Sequence, residues 1–165
     1  MQLAIEQPPL HFDGILLRLH ELNLLVPDIM VEEIFWPAQI DNVVDAPEWI
    51  KGSFRWNDRA VPLLAFEQLN DSDEISTTEL DFKEGDAVAI INGSVNRGYL
   101  PYYGILLRGE TSIIELNKKS IAPDIGRHSK RAEACWITVD NCLAVIPKID
   151  WIEGHLLAHV LRAKT

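Results

Sequence analysis

The chain has 165 residues, 47% of them hydrophobic, and a formal net charge of −10, a size that suits one domain or two small lobes sharing a core. The acidic balance argues against nucleic acid, which demands a basic footprint, and against anionic membrane surfaces; it fits simple solubility or a partner with a basic face. No apolar run reaches the ~18 residues of a membrane span, and "MQLAIEQPPL" lacks a secretory signal's basic region and long apolar stretch, so a cytoplasmic location is expected.

Residues 1–13, with Pro8-Pro9, read as an irregular lead-in. "GILLRLHELNLLVP" gives two short apolar runs around "HELN", the pattern of a hairpin. "DIMVEEIF" is a further extended segment, with Ile29, Val31 and Glu33 on one face, and "PAQIDNVVD" is a connection. Asp45 suits a helix N-cap and Pro47 a first helical turn, so "APEWIK" predicts a single helical turn ended by Gly52. "SFRW" and "RAVPLLAF" flank Asn57-Asp58, a pair that tolerates positive φ and predicts a tight hairpin. Pro62 places its strand at an edge, a start or a bulge.

The polar stretch "NDSDEISTTELDFKEGD" reads as a long surface loop between two halves. "AVAIING" is a buried strand, and "RGYLPYYGILLRG" and "TSIIEL" are strands separated by Gly109-Glu110. "NKKSIAPDIGRHSKR" is a second loop, basic at its end. "ACWITV" and "CLAVIP" form a last hairpin around Asp140-Asn141. There Val139 faces Cys142, and Cys135 lies further along, so reduced thiols are expected rather than a disulfide. "DWIEGHLLAHVLRAKT" closes the chain as a helix, with Asp150 as cap and Glu153 at the capping-box position, while Gly154 weakens its first turns. Nine or ten short strands with frequent turn signals indicate small barrels or a sandwich. The hairpins "FRWNDRAVP" and "CWITVDNCLAVIP" share a shape — aromatic, turn, apolar run, Pro — that hints at two similar lobes.

The search for chemistry finds little. His155 and His159 are four apart on the closing helix, but the glutamate that activates water in a zinc protease is replaced by Leu156. "DSDE" at 71–74 lacks the glycine and distant bidentate glutamate of a calcium loop. Gly98, Gly104 and Gly109 are spaced singly, without a phosphate-loop lysine, and no "GxSxG" occurs. No enzyme activity, metal or cofactor is expected. "RHSKR" at 127–131 is either a solvated loop or a contact for an acidic partner. Of Trp36, Trp49, Trp56, Trp136 and Trp151, most should pack in or against the core. Trp36, before a proline, and Trp56, beside a tight turn, are those expected to be partly exposed, with packing as the first role of each and a contact anchor as the alternative.

"VEEI" at 31–34, fifteen residues, "IKG" at 50–52, and then "VPLLAFEQL" resemble the CheW-like coupling domain in order and spacing. "APEWIKG" is similar to the family's "P-x-x-I-K-G" motif; "YYGILLRG" and "RAEACWITVDNCLAVIPKIDWI" resemble its later strands, last hairpin and closing helix. The departures are Asn57 and Asp58 where the family has arginine and glycine in "N-L-R-G", Ala65 for an aspartate, and Arg108-Gly109 for a "V-D" pair. The resemblance implies a mainly all-β fold of two five-stranded SH3-like barrels sharing a core, occupying 14–160, with a tail at 161–165. It implies a non-enzymatic, cofactor-free adaptor between a chemoreceptor's cytoplasmic tip and the regulatory domain of a CheA-type histidine kinase. The auxiliary, ChpC-like type of pilus chemosensory systems is the narrower likeness. By the same resemblance one contact surface is expected at Glu33, Ile34, Trp56, Asn57, Asp58 and Arg59, with Val31 and Ile50 supporting it from the core. A different SH3-like interaction module is the alternative.

Overall fold

In the computed structural model, residues 12–71, 80–117 and 121–163 are described. The chain forms eleven strands among these residues, in two sheets, plus two helices. The first sheet has the order β8-β1-β2-β11-β10-β9, and the second β3-β6-β7-β5-β4. The strands of the first are β1 (Phe12–Arg18), β2 (Asn23–Pro27), β8 (Ser112–Leu116), β9 (Ile121–Pro123), β10 (Glu133–Val139) and β11 (Cys142–Pro147). Those of the second are β3 (Val31–Phe35), β4 (Ile50–Trp56), β5 (Arg59–Leu64), β6 (Val88–Asn92) and β7 (Tyr102–Leu106).

Each sheet curls over its own apolar core. Phe54, Trp56, Val61, Leu63, Val88, Ile90 and Leu106 fill the second lobe. Leu16, Leu25, Ile114, Leu116, Ile137, Val139 and Ala144 fill the first. The residues between them point the other way. Leu17, Leu24, Val26, Leu64, Ala89, Ile91, Ile105 and Val145 meet in a third core shared by both lobes. A strand's side chains alternate between faces, and here both faces are buried. That is why "LLVP" and "AVAIIN" are continuous apolar runs rather than alternating ones.

The expected architecture of two small barrels, a shared core and a closing helix is therefore present. The two lobes follow one plan. In each, an antiparallel trio (β8-β1-β2 or β3-β6-β7) joins an antiparallel hairpin (β10-β11 or β4-β5) through one parallel pairing. The likeness of the two hairpin sequences reflects this: β4-β5 and β10-β11 occupy equivalent places. Both turns are as expected, with positive φ at Asn57 and Asp58 (46° and 60°) and at Asp140 and Asn141 (48° and 63°). Val139 pairs with Cys142, Cys135 with Ile146, and both thiols are free.

Several expectations are corrected. The first lobe gains a sixth strand, β9, inside the segment expected to be a loop; its residues pair with Ile137–Val139. Ile29 lies in a short 3-10 turn (Asp28–Met30) before β3 and is 81% exposed. "APEWIK" does not form a helix. Asp45 has φ 57°, Ile50 N–H donates to Pro47 O at 3.0 Å, and β4 begins there. The short helix lies instead at α1 (Phe66–Asn70), directly after β5. Gly52 terminates nothing; it sits inside β4 at a register shift, with φ 138°. A Cβ there would lie 2.3 Å from Asp41 O, because Asp41 crosses the strand and exchanges both backbone bonds with Ser53. The motif glycine thus permits a close backbone approach.

That exchange also explains Pro62. Ser53 spends its backbone groups on Asp41, so its pairing with Pro62 is not hydrogen-bonded. The missing N–H faces the side where β7 pairs only from Leu63 onward. The strand is internal, and the proline costs it no ladder bond.

The closing helix α2 (Ile149–Ala163) runs through Gly154. Glu153 is not a capping-box residue. It is 1% exposed, and its carboxylate accepts from Ser94 N–H (2.7 Å), Ser94 Oγ (3.0 Å), Val95 N–H (2.9 Å) and Tyr103 Oη (3.0 Å). The helix that follows the first lobe is thereby strapped to the β6–β7 loop of the second. Tyr103 is fully buried, and burial, with the Glu153 carboxylate beside it, pushes its phenol well above the usual range. Glu67 of α1 makes a second tie, accepting from His20 N–H (2.9 Å) and Glu21 N–H (2.7 Å) in the β1–β2 turn.

Candidate interaction surface

The β4-β5 turn projects Asn57, Asp58 and Arg59 into solvent. Beneath it Trp56 is 6% exposed, so the expectation that it would be partly exposed is corrected. Its ring packs edge-on against Tyr102, with centroids 4.8 Å apart. Its indole N–H donates to Glu33 Oε2 at 2.6 Å. The indole therefore holds the exposed Glu33 in place and supports the turn, rather than presenting its own face. Arg59 lies over the other partner of that pair, its guanidinium 5.5 Å from the Tyr102 ring centre. Arg55 Nη2 donates to Asp58 O at 3.3 Å and braces the turn.

Glu33, Trp56, Asn57, Asp58 and Arg59 are thus brought together. Ile34 is not with them. Consecutive residues of a strand face opposite ways, and Ile34 packs toward the shared core while Phe35 packs with the second lobe's interior. Ile34 instead lines an open cleft of about 570 Å³ with Trp36, Asp86, Ala87, Leu107 and Arg108. Trp36 is 62% exposed there, as expected. In the cleft Arg108 pairs with Asp86 and donates through Nη2 to Asp81 O at 2.6 Å. The candidate surface is therefore two patches on opposite faces of β3: a polar hairpin patch and an apolar cleft with an ion pair on its wall.

Tyr102 is the patch residue that sequence reasoning missed. β7 reaches this lobe through a parallel pairing with β5, so no local spacing places Tyr102 beside Trp56. Glu133 was also missed: it is buried and accepts from Asn70 Nδ2 (2.7 Å), Lys130 N–H (2.9 Å) and Trp136 Nε1 (2.8 Å). The basic "RHSKR" segment is partly neutralised, with Lys130 paired to Asp71 and Arg127 to Asp124 at 3.1 Å. His155 Nδ1 lies 2.8 Å from Trp151 O, and the two rings are in contact. Among the described residues no cluster of His, Cys, Asp and Glu is arranged to hold a metal ion, and no helix is long and apolar enough to cross a membrane.

The geometry defines a class: a pseudo-symmetric two-barrel β domain that presents polar groups on a tight turn and on the wall of an open cleft. Comparison with known proteins names the family. The model of the CheW-like domain matches residues 13–153, and the chain belongs to that family, one of scaffolds and adaptors. The fold is similar to that of the scaffolding protein TtCheW from Thermoanaerobacter tengcongensis, with a TM-score of 0.64 at 14% identity over 86% of this chain and 90% of that one. No curated protein sequence matches the chain.

Proposed function

We propose that the protein is a non-enzymatic cytoplasmic adaptor of bacterial chemosensory signalling, coupling the cytoplasmic tip of a chemoreceptor to the regulatory domain of a CheA-type histidine kinase. The observation that carries this reading is the family match over 13–153. The physical logic agrees. Moderate, reversible contacts need a few apolar anchors inside a polar rim, and the two patches beside β3 offer that without a deep pocket. The hairpin patch of Glu33, Asn57, Asp58 and Arg59, supported by Trp56, serves one partner. The cleft of Ile34 and Trp36 serves the other. The ChpC-like resemblance favours an output through type IV pili and twitching motility over a flagellar one. Asn57 and Asp58, in place of the family's arginine and glycine, favour a second reading, in which the same hairpin binds an unrelated partner.

The test is a binding isotherm against the kinase regulatory domain of the same organism and, separately, against its receptor tip. Glu33→Gln, Asn57→Arg and Ile34→Glu are run beside the wild type. Micromolar binding to the kinase domain that responds to Glu33→Gln or Asn57→Arg supports the adaptor reading. Absence of binding to both partners well above that range removes it and leaves the unrelated module. Trp56→Ala is unsuitable as an interface probe because the residue is buried.

A further inference from the structure

A third feature lies on the far side of the hairpin. Between the outer face of β4-β5, the loop before β7 and the end of α2 runs a groove of about 500 Å³. Pro62, Tyr99, Leu100, Pro101 and Val160 make its walls apolar. Two exposed apolar side chains extend it: Tyr99, 52% exposed on its wall, and Val44, 84% exposed, beside the lining residue Val43. Its charge is out of keeping with the chain. The protein has 25 acidic residues and a net charge of −10, yet among the described residues the groove lining contains no carboxylate; its basic side chains are Arg59 and His159.

Arg59 stands at the mouth. Among the described residues it makes no ion pair, and its guanidinium lies over the Tyr102 ring, 5.5 Å from the centre. A guanidinium lying over an aromatic ring, with no ion pair among the described residues, keeps its N–H groups available for a carboxylate. Arg97, exposed and one residue before the lining Gly98, adds positive charge on the same side. Arg162 and Asp45 line the adjoining cleft, and His159 is common to both.

From the apolar walls, a lining without carboxylates among the described residues, and Arg59 lying over Tyr102 without an ion pair among them, we infer that this groove is a docking site for a partner protein segment carrying an apolar side chain beside a carboxylate. The apolar side chain fills the groove against Pro62 and Val160. The carboxylate takes the two N–H bonds of the Arg59 fork. A cavity of this size holds one or two side chains, which matches a short linear segment rather than a broad interface. The site shares Arg59 with the hairpin patch but does not depend on which protein the hairpin serves.

The test uses small probes on the full chain, so it is independent of any kinase or receptor. 4-Phenylbutyrate, 4-phenylbutanol and 4-phenylbutylamine are titrated while amide shifts are followed by NMR. The expected result is saturable change confined to Arg59, Gly98–Tyr102 and α2 near Val160, with the carboxylate binding about fivefold more tightly than the alcohol and the amine weakest. Arg59→Gln should erase the preference for the carboxylate and leave weak binding of the alcohol. Val160→Glu should abolish both, with thermal stability of each variant recorded to show that it is folded. Equal affinity for acid and alcohol, or shifts scattered over the surface, overturns the inference. So do concentration-dependent shifts at the groove without any probe, which would make a second copy of this chain the occupant.

Discussion

The two lobes share a plan but dress the same turn differently. In the first, the Asp140-Asn141 turn is flanked by buried Val139 and half-buried Cys142, whose sulfur receives a bond from Asn23 Nδ2 at 3.3 Å. In the second, the equivalent turn is flanked by Trp56 and Arg59, which draw in Tyr102 and Glu33. The backbone chemistry of the turn is the same, so the turn builds the barrel. What differs is the pair of residues on either side of it. Where those are small and apolar, the hairpin only closes a core. Where they are aromatic and charged, it also builds a patterned surface.

The largest way to sharpen this contrast is to truncate the flanking residue in each lobe. Trp56→Ala should lose about 3–5 kcal/mol, against about 2 kcal/mol for Val139→Ala, read as urea midpoints at unchanged slope. Similar losses would mean that the aromatic adds nothing beyond filling. Next, Glu153→Ala strands four donors, two of them side-chain hydroxyls, and should cost about 3 kcal/mol or more. Hydrogen exchange should show the β6–β7 loop loosening before the first lobe does.

The turns themselves predict a symmetric gain. Asp58→Gly and Asn141→Gly each relieve a side chain at φ 60° and 63°, and each should stabilise by about 0.5–1 kcal/mol. Asp58→Gly should alter partner binding as well, and Asn141→Gly should not. Gly154→Ala meets nothing within 4 Å of its new Cβ and should add a similar ~0.5–1 kcal/mol in a melting curve, without changing the difference between lobes.

The smallest effect is a pH dependence at Glu67. Burial raises its carboxyl above the ordinary 4.5 and outweighs the two backbone N–H groups that favour the charged form. The folded chain therefore binds this proton more tightly than the unfolded chain does. Its contribution is fully present below 4.5 and is lost as pH rises through the raised value. The stability of the wild type minus that of Glu67→Gln should fall over that interval; a rise would reverse the assignment.

Much of the fold was legible because its signals are local. Positive-φ pairs marked both hairpins, and continuous apolar runs marked strands buried on two faces. What was not legible depends on segments distant in sequence. Gly52 read as a helix stop because the approach of Asp41 cannot be seen from its neighbours. Glu153 read as a cap because Ser94 and Tyr103 reach it across the fold. Of the candidate surface, the turn and Glu33 came together as expected. Ile34 separated from them because a strand alternates its faces, and Trp56 was drawn inside by Tyr102, which arrives by a parallel crossover.

The parallel pairing of Leu24 with Val145 has a consequence for how the molecule is made. β1 and β2 find β10 and β11 only across the whole intervening chain, while β3 to β7 form one contiguous stretch. The middle lobe is thus an insertion within the outer one. Loop-closure entropy favours short separations first, so the inserted lobe should acquire its structure early, leaving β1-β2 to wait for the last hairpin. During synthesis β1 can gain β8 first, and the β2 edge of "GILLRLHELNLLVP" is expected to stay uncovered until β11 emerges, an interval of exposed apolar surface and unpaired strand edge.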